Sequence, residues 1–408
     1  MNRVCSIFAQ LLQLFPRGQF QQAVKQHHAE RHARGFTCWG QFVAMMFCQL
    51  ASARSLREIS QGLAASEGKL RHLGVAQAPA RSTLAYANEH RTWELYQTVF
   101  EQLLAQCQAA AAGKKKFRFK NKLLTLDATS IDLCANLYDW ARYKRTKGAA
   151  KVHLLLDNEG YLPVFACITD GKSHDITVGR QLRFQPGTIV VMDKGYVDYA
   201  WWQQISEDKA FFVTRLKKDL RYQIIRENPV PERGNIRGDH WIEIESTQDP
   251  SHRQVLRVVT IWDEEKQEEM AFLTNHFDFG PTTIARIYKE RWQIELFFKA
   301  LKQLLRVKTF VGTSANALKT QIWTALIAML LLKYMQLKSQ FAWSLSNLVA
   351  LVRQQLFVYR DLWVWLDDPF QAPPALAGMP NWSWDSRPRQ FGQQQTMSIF
   401  QTQQTGSF

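Results

Sequence analysis

The sequence has little of what marks secreted, membrane-spanning or disulfide-stabilised proteins. It contains six cysteines in 408 residues, and none of them forms a CxxC pair. Isolated cysteines in so long a chain are typical of reduced, buried residues in a cytoplasmic protein. The longest largely apolar run, 322–332, is about half of the ~20 residues that a membrane-spanning helix needs. At the N-terminus a single arginine precedes a short mixed stretch without a small-residue cleavage site, so no signal peptide is predicted.

Acidic residues are also in the minority. The chain carries 51 lysines and arginines against 36 aspartates and glutamates, a formal net charge of +15. Such an excess indicates partners rather than a fold, and the commonest polyanion in a cell is nucleic acid. A basic soluble protein without a nucleic-acid partner is the alternative. The hydrophobic content of 46% and charged content of 21% are ordinary for globular proteins and exclude wholesale disorder.

Residues 1–112 are predicted to be helical throughout. Ser55 and Glu58 have the spacing of a capping box at the start of one short helix. A later helix is predicted to be capped by Ser82 or Thr83 and to run to Arg91. Its exposed side is predicted to carry Arg81, Ser82, Asn88, His90 and Arg91. Short helices joined by tight turns suit a helix-turn-helix DNA reader, and an ordinary helical bundle fits the pattern equally well.

The chain beyond this region is predicted to form a mixed α/β sheet, because short apolar runs alternate with turn residues. The predicted strands are Leu123–Leu126, Val152–Leu156, Val164–Thr169, Ile189–Met192 and Phe211–Thr214. Alternating hairpin-like pieces at about 220–275 predict a β-strand insertion. A helix is predicted over 282–305, and further helices over 316–366. Before the sheet, the basic run at 114–122 reads as a solvated linker, with a phosphate-contacting strap as the alternative.

Two aspartates follow apolar strands. Asp127 comes directly after one predicted strand, and Asp193 directly after another. A carboxylate where a buried strand meets the edge of a sheet has a direction fixed by rigid backbone and faces an open crevice. Turn capping would explain either residue alone, but two such aspartates favour a catalytic role.

Four further polar residues form a stripe on the helix predicted over 282–305. They are Tyr288, Arg291, Glu295 and Lys302. At ~100° per residue, all four project within about 60° of one another. The remainder of the helix is largely apolar and therefore predicted to be buried, where charged side chains are costly unless they are paired or bind a ligand. An Arg291–Glu295 salt bridge is the simpler explanation, but it leaves the other two residues unexplained.

These residue types together are what a phosphoryl-transfer site needs. Hard cations such as Mg²⁺ bind carboxylate and phosphate oxygens, and two such ions can stabilise the attacking and leaving oxygens of an in-line displacement. Asp127, Asp193 and Glu295 are therefore predicted to hold two Mg²⁺ ions, with Mn²⁺ expected to substitute. Arg291 and Lys302 are predicted to bind neighbouring phosphates.

Four sequence elements resemble the DDE transposases of bacterial insertion sequences, specifically the IS-four type with its YREK stripe. They are L-D-A-T at Asp127, T-D-G-K-x-H-D at 169–175, V-V-M-D-K-G-Y at 190–196, and Y-x2-R-x3-E-x6-K from Tyr288 to Lys302. The resemblance spans about residues 120–335. It implies an RNase H-like core with a β-strand insertion between the second aspartate and the glutamate.

The resemblance also implies an activity and partners. The protein would bind the double-stranded DNA of the terminal inverted repeats, cleave the ends and join the 3′-OH ends to target DNA, acting as a homodimer in the bacterial cytoplasm and nucleoid. Tyr288 would position a backbone phosphate. Of the two tryptophans in the insertion, Trp241 and Trp262, the second would stack on a nucleotide flipped from the cleaved end, and packing between the hairpin and the core is the alternative for each. The alternatives are an RNase H-like nuclease that cuts without joining, and a non-catalytic DNA-binding protein on a decayed transposase scaffold.

The predicted organisation follows from these assignments. It comprises a helical N-terminal DNA-binding domain (1–112), a basic linker (113–121), an RNase H-like catalytic domain (122–335), a helical C-terminal region (336–371) and a Pro/Gln-rich tail (372–408). Other polar clusters are assigned structural roles. The spacing of His27, His28, His32 and Cys38 fits no standard zinc finger. Asp170, His174 and Asp175 are predicted to form a turn, with a place near the metal as the alternative.

Overall fold

The N-terminal region is helical, as predicted. The computed structural model describes residues 5–370 apart from 32, 34, 67, 115, 134–137, 145–146, 218, 246–252 and 306–310, so the predicted tail lies outside the described residues. The helices are α1 (Ile7–Gln13), α2 (Arg17–Gln26), α3 (Cys38–Ala51), α4 (Leu56–Ala64), α5 (Arg81–His90) and α6 (Glu94–Ala111), with a 3₁₀ turn at Leu70–Leu73. Helix α3 is apolar and buried from Cys38 to Leu50, so it forms the centre of this region.

Of three local predictions in this region, one is confirmed and two are wrong. The Ser55 hydroxyl accepts a hydrogen bond from the Glu58 amide at 3.1 Å, which confirms the predicted helix start. Helix α5 instead begins at Arg81, after Ala80, two or three residues earlier than a cap at Ser82 or Thr83 would place it, and it has no side-chain cap. The prediction for Asn88 is also wrong. Its side chain is buried and accepts a hydrogen bond from Gln41 at 2.9 Å, because α5 turns this face towards α3.

The middle of the chain forms one mixed sheet. Its strands are β1 (Leu123–Leu133), β2 (Arg142–Lys144), β3 (Lys147–Asp157), β4 (Leu162–Asp170), β5 (Ile189–Met192), β6 (Phe211–Arg215), β7 (Gln223–Glu227), β8 (Ile236–Glu245), β9 (Arg253–Asp263) and β10 (Glu268–Thr274). The order is β2-β3-β1-β5-β6-β10-β9-β8-β7, with β4 paired to β3. The pairs β1–β5 and β5–β6 are parallel, whereas β3 runs antiparallel to β1 and to β4. All five predicted strands are present, each at or near its predicted position.

The remaining helices pack around the sheet and the N-terminal region. They are α7 (Asp175–Gly179), α8 (Tyr199–Glu207), α9 (Pro281–Lys289), α10 (Trp292–Leu305), α11 (Ala315–Lys338), α12 (Leu345–Gln355) and α13 (Leu362–Asp367), with 3₁₀ turns at Asp139–Ala141 and Lys194–Tyr196. By length and composition α11 could span a membrane, but 83% of its apolar window is buried inside the protein. It packs against α3, α5, α6 and α10 and is therefore a core helix.

The helix predicted over 282–305 is interrupted. Helix α9 ends at Lys289 and α10 begins at Trp292, which leaves Glu290 and Arg291 between them. The Glu290 amide bonds to the Ile287 carbonyl at 3.1 Å, and the Arg291 amide bonds to the Tyr288 carbonyl at 3.0 Å. These i to i−3 bonds tighten the backbone as in a 3₁₀ turn. The predicted stripe therefore does not lie on one continuous helix.

Candidate active site

Strand pairing brings the two aspartates together. In the parallel pair β1–β5, Leu126 lies opposite Met192, the last residue of β5. The next residue on each strand is therefore an aspartate, Asp127 on β1 and Asp193 after β5. The prediction that Asp127 ends its strand is wrong, because β1 continues to Leu133 paired with β3 alone. Asp127 nevertheless lies at an edge, since its neighbour on the β5 side has ended.

Asp127 is only partly accessible to solvent. Its side chain is 18% exposed, and its Oδ1 accepts a hydrogen bond from the Ala128 amide at 2.8 Å. Burial raises the pKa of this carboxyl to about 6, although the amide hydrogen bond and Arg291 both oppose the rise. The nearby negative charges of Asp193 and Glu295 add to it. The two other acids therefore lie close enough to act on Asp127 electrostatically.

Arg291 bridges two of the three acids. Its Nη1 lies 3.2 Å from Asp127 Oδ2, and its Nη2 lies 2.5 Å from Glu295 Oε1. The Arg291–Glu295 salt bridge, weighed above as the simpler explanation of the stripe, is therefore present, with Asp127 as a second partner of Arg291. The buried Nε of Arg291 has no hydrogen-bond partner among the described residues. The guanidinium is thus held at the cleft by its two Nη atoms.

These side chains line one open cleft of about 720 Å³. The lining residues are Asp127, Ala128, Thr129, Asp193, Arg291, Glu295, Phe298, Lys299, Lys302 and Gln303. Five of the predicted site residues therefore meet in one place, namely the three acids, Arg291 and Lys302. Lys299 was not predicted, although it lies one helical turn after Glu295, so helical periodicity could have identified it.

The two predicted aromatic residues lie outside this lining. Tyr288 is half-buried at the end of α9, with its ring 4.5 Å from that of Phe272. Burial raises the pKa of its hydroxyl. Trp262 lies near the end of β9 opposite Glu269, half-buried. By contrast, Trp292 stands beside Arg291 at the start of α10 and is 56% exposed.

The donor set is suited to a hard divalent cation. Three carboxylates face one cleft, and carboxylate oxygens are the ligands that Mg²⁺ and Mn²⁺ prefer. Among the described residues, however, no three acidic, histidine or cysteine side chains are gathered closely enough to form a metal site. The guanidinium of Arg291 lies between Asp127 and Glu295 and supplies the positive charge there. The residues fit a metal by chemistry, and Arg291 would have to shift for Asp127 and Glu295 to share one.

The other predicted polar clusters have structural contacts. Asp170 Oδ1 accepts hydrogen bonds from the amides of Lys172 and Ser173 at 3.1 and 2.9 Å, which confirms the turn at Asp170, whereas Asp175 begins α7. Asp175 pairs with Lys151 at 3.0 Å. Cys38 is buried and His27 contacts the Thr98 hydroxyl at 2.8 Å, whereas His32 lies outside the described residues. The five described cysteines are free.

Comparison with known proteins agrees with the resemblance read from the motifs. A family model described as "Transposase DDE domain" matches residues 118–331, and "Domain of unknown function (DUF4372)" matches residues 4–76. The protein of Sinorhizobium fredii named transposase y4zB is 30% identical over 291 residues, which are 70% of this chain and 80% of that protein. The transposase named for insertion sequence element IS5377 of Geobacillus stearothermophilus is 27% identical over 65% of this chain and 70% of its own length.

Two more distant matches are of the same kind. Transposase InsG for insertion sequence element IS4 of Escherichia coli is 23% identical over 41% of this chain and 39% of that protein. A solved synaptic complex of piggyBac transposase with hairpin DNA aligns at a TM-score of 0.44 and 10% identity over 90% of this chain and 82% of that one. This structural likeness is too low to carry an argument about the fold.

The fold and cleft are those of a mixed α/β protein with clustered acids at a sheet edge. The chain belongs to the DDE transposase family of insertion sequences, whose domain covers more than half of its length. Membership indicates an enzyme that cuts and joins DNA, and enzymes of this family use divalent metal ions.

Proposed function

We propose that this protein is a Mg²⁺-dependent transposase that binds the terminal inverted repeats of its element, cleaves the DNA ends and joins the 3′-OH ends to target DNA. The observation that carries the proposal is the single cleft lined by Asp127, Asp193 and Glu295 together with cations. A net charge of +15 suits a DNA substrate. In a protein with so large an excess of positive charge, a cluster of acids favours a site where metal cations and DNA phosphates bind together.

The acids and the cations of the cleft have separate roles in this proposal. Asp127, Asp193 and Glu295 would hold two divalent ions, Mg²⁺ or Mn²⁺. Bound ions would supply charge stabilisation for the attacking and leaving oxygens of phosphoryl transfer. Arg291 would exchange its carboxylate partners for a DNA phosphate, which would bind the two Nη atoms that now contact Asp127 and Glu295. Lys302, exposed on the cleft wall, would bind a neighbouring phosphate.

The two aromatic residues would act on the DNA rather than on the metal. Tyr288 packs beside Arg291, whose guanidinium lies 5.8 Å from its ring, and would position a backbone phosphate. Trp262 would stack on a nucleotide flipped from the cleaved end. Its half-buried place near the end of β9 is compatible with that role.

An RNase H-like core is proposed for residues 122–335. The support is the five-strand order β4-β3-β1-β5-β6 with β3 antiparallel to its neighbours and β1, β5 and β6 parallel. Strands β7 to β10 would be the insertion at about 220–275. They extend the sheet from β6 and precede α9 and α10, so they lie between Asp193 and Glu295 in the chain.

Recognition of the DNA ends is proposed for the helical region 1–112. Arg81 and Tyr86 are exposed on α5, and the ring of His90 stacks on that of Tyr86 at 4.0 Å. Cations beside exposed aromatic rings suit DNA. The segment 113–121 would link this region to the core, with 336–371 as a helical C-terminal region and 372–408 as a tail. Joining two ends requires that they be held together, so we propose a homodimer on DNA in the bacterial cytoplasm and nucleoid.

The experiment is a two-step assay on the full-length protein. DNA carrying the inverted repeats that flank the gene is incubated with the protein in Mg²⁺, with a supercoiled plasmid as target. We expect cleavage at the repeat ends and covalent joining to the plasmid, both abolished by EDTA. Cleavage without joining would indicate a nuclease instead. Specific binding of repeat DNA without any cleavage would indicate a non-catalytic DNA-binding protein.

A further inference from the structure

Arg291 lies on a short break between two helices, so its direction depends on what holds that break. The residue before it, Glu290, is only 5% exposed. A buried carboxylate is costly unless it is paired and hydrogen-bonded. The cleft does not use Glu290, since it is not among the lining residues. Its burial therefore calls for a separate explanation.

Both carboxylate oxygens of Glu290 have partners from distant parts of the chain. Oε1 lies 2.6 Å from Lys116 Nζ, and Oε2 accepts a hydrogen bond from the Tyr161 hydroxyl at 3.0 Å. Tyr161 belongs to the turn between β3 and β4, where it has a positive φ of 54°. Lys333 of α11 lies 5.7 Å above the Tyr161 ring. Glu290 is thus bound from two directions by side chains fixed elsewhere.

Lys116 belongs to a segment that is packed against the protein, which we call the strap (residues 113–122). The Gly113 amide donates to Glu159 Oε1 at 2.7 Å, at the end where the strap leaves α6. Further along, the rings of Phe117 and Phe119 stack at 4.8 Å, and Phe119 packs on Phe279 at 5.0 Å. The described strap residues therefore run from the N-terminal helices, past Glu290, to the first residues before β1.

We infer that Lys116, Glu290 and Tyr161 form a positioning triad that fixes the α9–α10 break and so aims Arg291 into the cleft. The inference rests on the proposed function, because it concerns the DNA-cleavage step. None of the three residues touches DNA or the reacting phosphate in this role. The triad also joins the strap to the cleft, so displacement of the strap would misdirect Arg291 and slow cleavage.

Lys116 and Glu290 differ in burial, so substitutions of the two residues should have different effects. The Lys116 side chain is 51% exposed, whereas that of Glu290 is 7% exposed. Removing the lysine leaves a buried carboxylate with one neutral partner, but neutralising the glutamate leaves only a solvated lysine. Lys116→Met should therefore be more damaging than Glu290→Gln. The double variant should be less damaging than Lys116→Met alone, since the two changes act on one interaction.

The first measurement is single-turnover cleavage of end DNA by the full-length protein, with the affinity for end DNA measured in parallel. Since small misplacement of a catalytic group costs up to about 100-fold, we expect Lys116→Met to slow cleavage by roughly 10- to 100-fold. Lys116→Arg should restore most of the rate, and Tyr161→Phe should cause a smaller loss. The DNA affinity should not change. Glu207→Gln is the matched control, since Glu207 is exposed on α8 and hydrogen-bonds Gln203 at 3.0 Å.

The second measurement does not require activity. Amide hydrogen exchange over 288–294 should speed up in Lys116→Met and Tyr161→Phe, while exchange in α3 stays as in the wild type. Equal exchange over 288–294 in wild type and both variants overturns the inference, whatever the activity. The inference is also overturned if the wild type cleaves end DNA and both variants cleave it at the wild-type rate. If the wild type fails to cleave but exchange responds as expected, the triad stands as a structural device and the proposed function fails instead.

Discussion

Two of the arginine–aspartate pairs among the described residues, Arg257–Asp239 and Arg291–Asp127, differ in how completely they are satisfied. Arg257 and Asp239 are 4% and 2% exposed and form two parallel hydrogen bonds, at 2.8 and 2.6 Å. Arg257 Nη1 also donates to the backbone carbonyls of His276, Phe277 and Phe279. In the cleft, Arg291 contacts Asp127 and Glu295 through single atoms, with both its own and the Asp127 side chain 18% exposed.

The difference separates a pair whose contacts are complete within the fold from a pair beside an open cleft, which is the one proposed to bind substrate. Arg257 joins β8 and β9 to the loop before α9. Its three guanidinium nitrogens all donate to acceptors within the protein. Two carboxylates, those of Asp127 and Glu295, share the single guanidinium of Arg291. A group left partly unsatisfied beside an open cleft can exchange partners when a substrate arrives, whereas a saturated buried pair cannot without a large loss of stability.

The largest expected effect is on the chemistry of the cleft. Asp127→Asn and Glu295→Gln should each reduce cleavage of end DNA in Mg²⁺ by about 10³-fold or more, because loss of a metal ligand removes several kcal/mol of charge stabilisation. Binding of end DNA should stay near normal, since neither change removes a cation. Rates are measured on labelled end DNA and affinities by gel shift. If both variants still cleave, the site assignment fails.

The corresponding change at the Arg257–Asp239 pair, whose contacts are complete, should instead lower the stability of the fold. Arg257→Met leaves Asp239 buried without its cation, which should lower the free energy of unfolding by about 3–5 kcal/mol. The measurement is urea unfolding followed by fluorescence. The corresponding Arg291→Met variant is the comparison, and it should lose far less stability because its site is partly solvated. Equal losses at the two positions would remove the distinction drawn above.

Local signals predicted the acids of the cleft and missed what holds the arginine. Asp193 follows a four-residue buried strand, and Glu295 lies on an apolar helix, both visible as short patterns. The break at Glu290 and Arg291 has no such signal. Glu290 is held by partners 174 and 129 residues away in the chain, so local periodicity favours an unbroken helix there. Likewise, Asn88 looked exposed because its partners, Gln41 and Asn316, come from other helices.

The strands were predictable and their order was not. Apolar runs bounded by turn residues give the positions of β3, β4, β5 and β6 to within a few residues. The pairing of β10 with β6, which extends one sheet through the insertion, depends on contacts between residues about 60 apart, such as Thr274 with Phe212. The alternation of apolar and polar residues along a strand predicts which face is buried, but it does not predict which strand lies alongside.

A third prediction uses the pH dependence of stability. Burial raises the pKa of Asp127 from 3.8 to about 6. The contribution of this carboxyl to the free energy of unfolding is therefore fully present below pH 3.8, where the group is protonated in both the folded and the unfolded protein. That contribution is lost as the pH rises through about 6, because the buried carboxyl then ionises. Asp127→Asn should then be more stable than the wild type at pH 8, by up to about 3 kcal/mol, and equal to it near pH 4.

The control for this prediction is Asp132→Asn, which makes the same change at an exposed position of β1. Urea unfolding of the three proteins is measured at both pH values, without divalent ions. A stabilisation by Asp127→Asn of the same size at both pH values would contradict the assignment, because it could not arise from ionisation of Asp127.

The smallest effect is expected at Trp262, which sharpens the comparison between saturated and available groups. The main chain of Trp262 is fixed by its amide, which donates to the Asn235 carbonyl at 2.7 Å, and its side chain is half-buried. Trp241 in the same sheet is packed, with its ring 4.9 Å from Phe277 and 4.6 Å from the Arg226 guanidinium.

A ring that stacks on an extruded base contributes ~1–3 kcal/mol, and only in a step that unstacks the end. Trp262→Ala should therefore spare first-strand nicking and slow the second-strand step by roughly 10- to 100-fold. Trp241→Ala, the packed control, should lower stability instead. Equal slowing of both steps by Trp262→Ala, or a loss of thermal stability like that of Trp241→Ala, would assign Trp262 to the core.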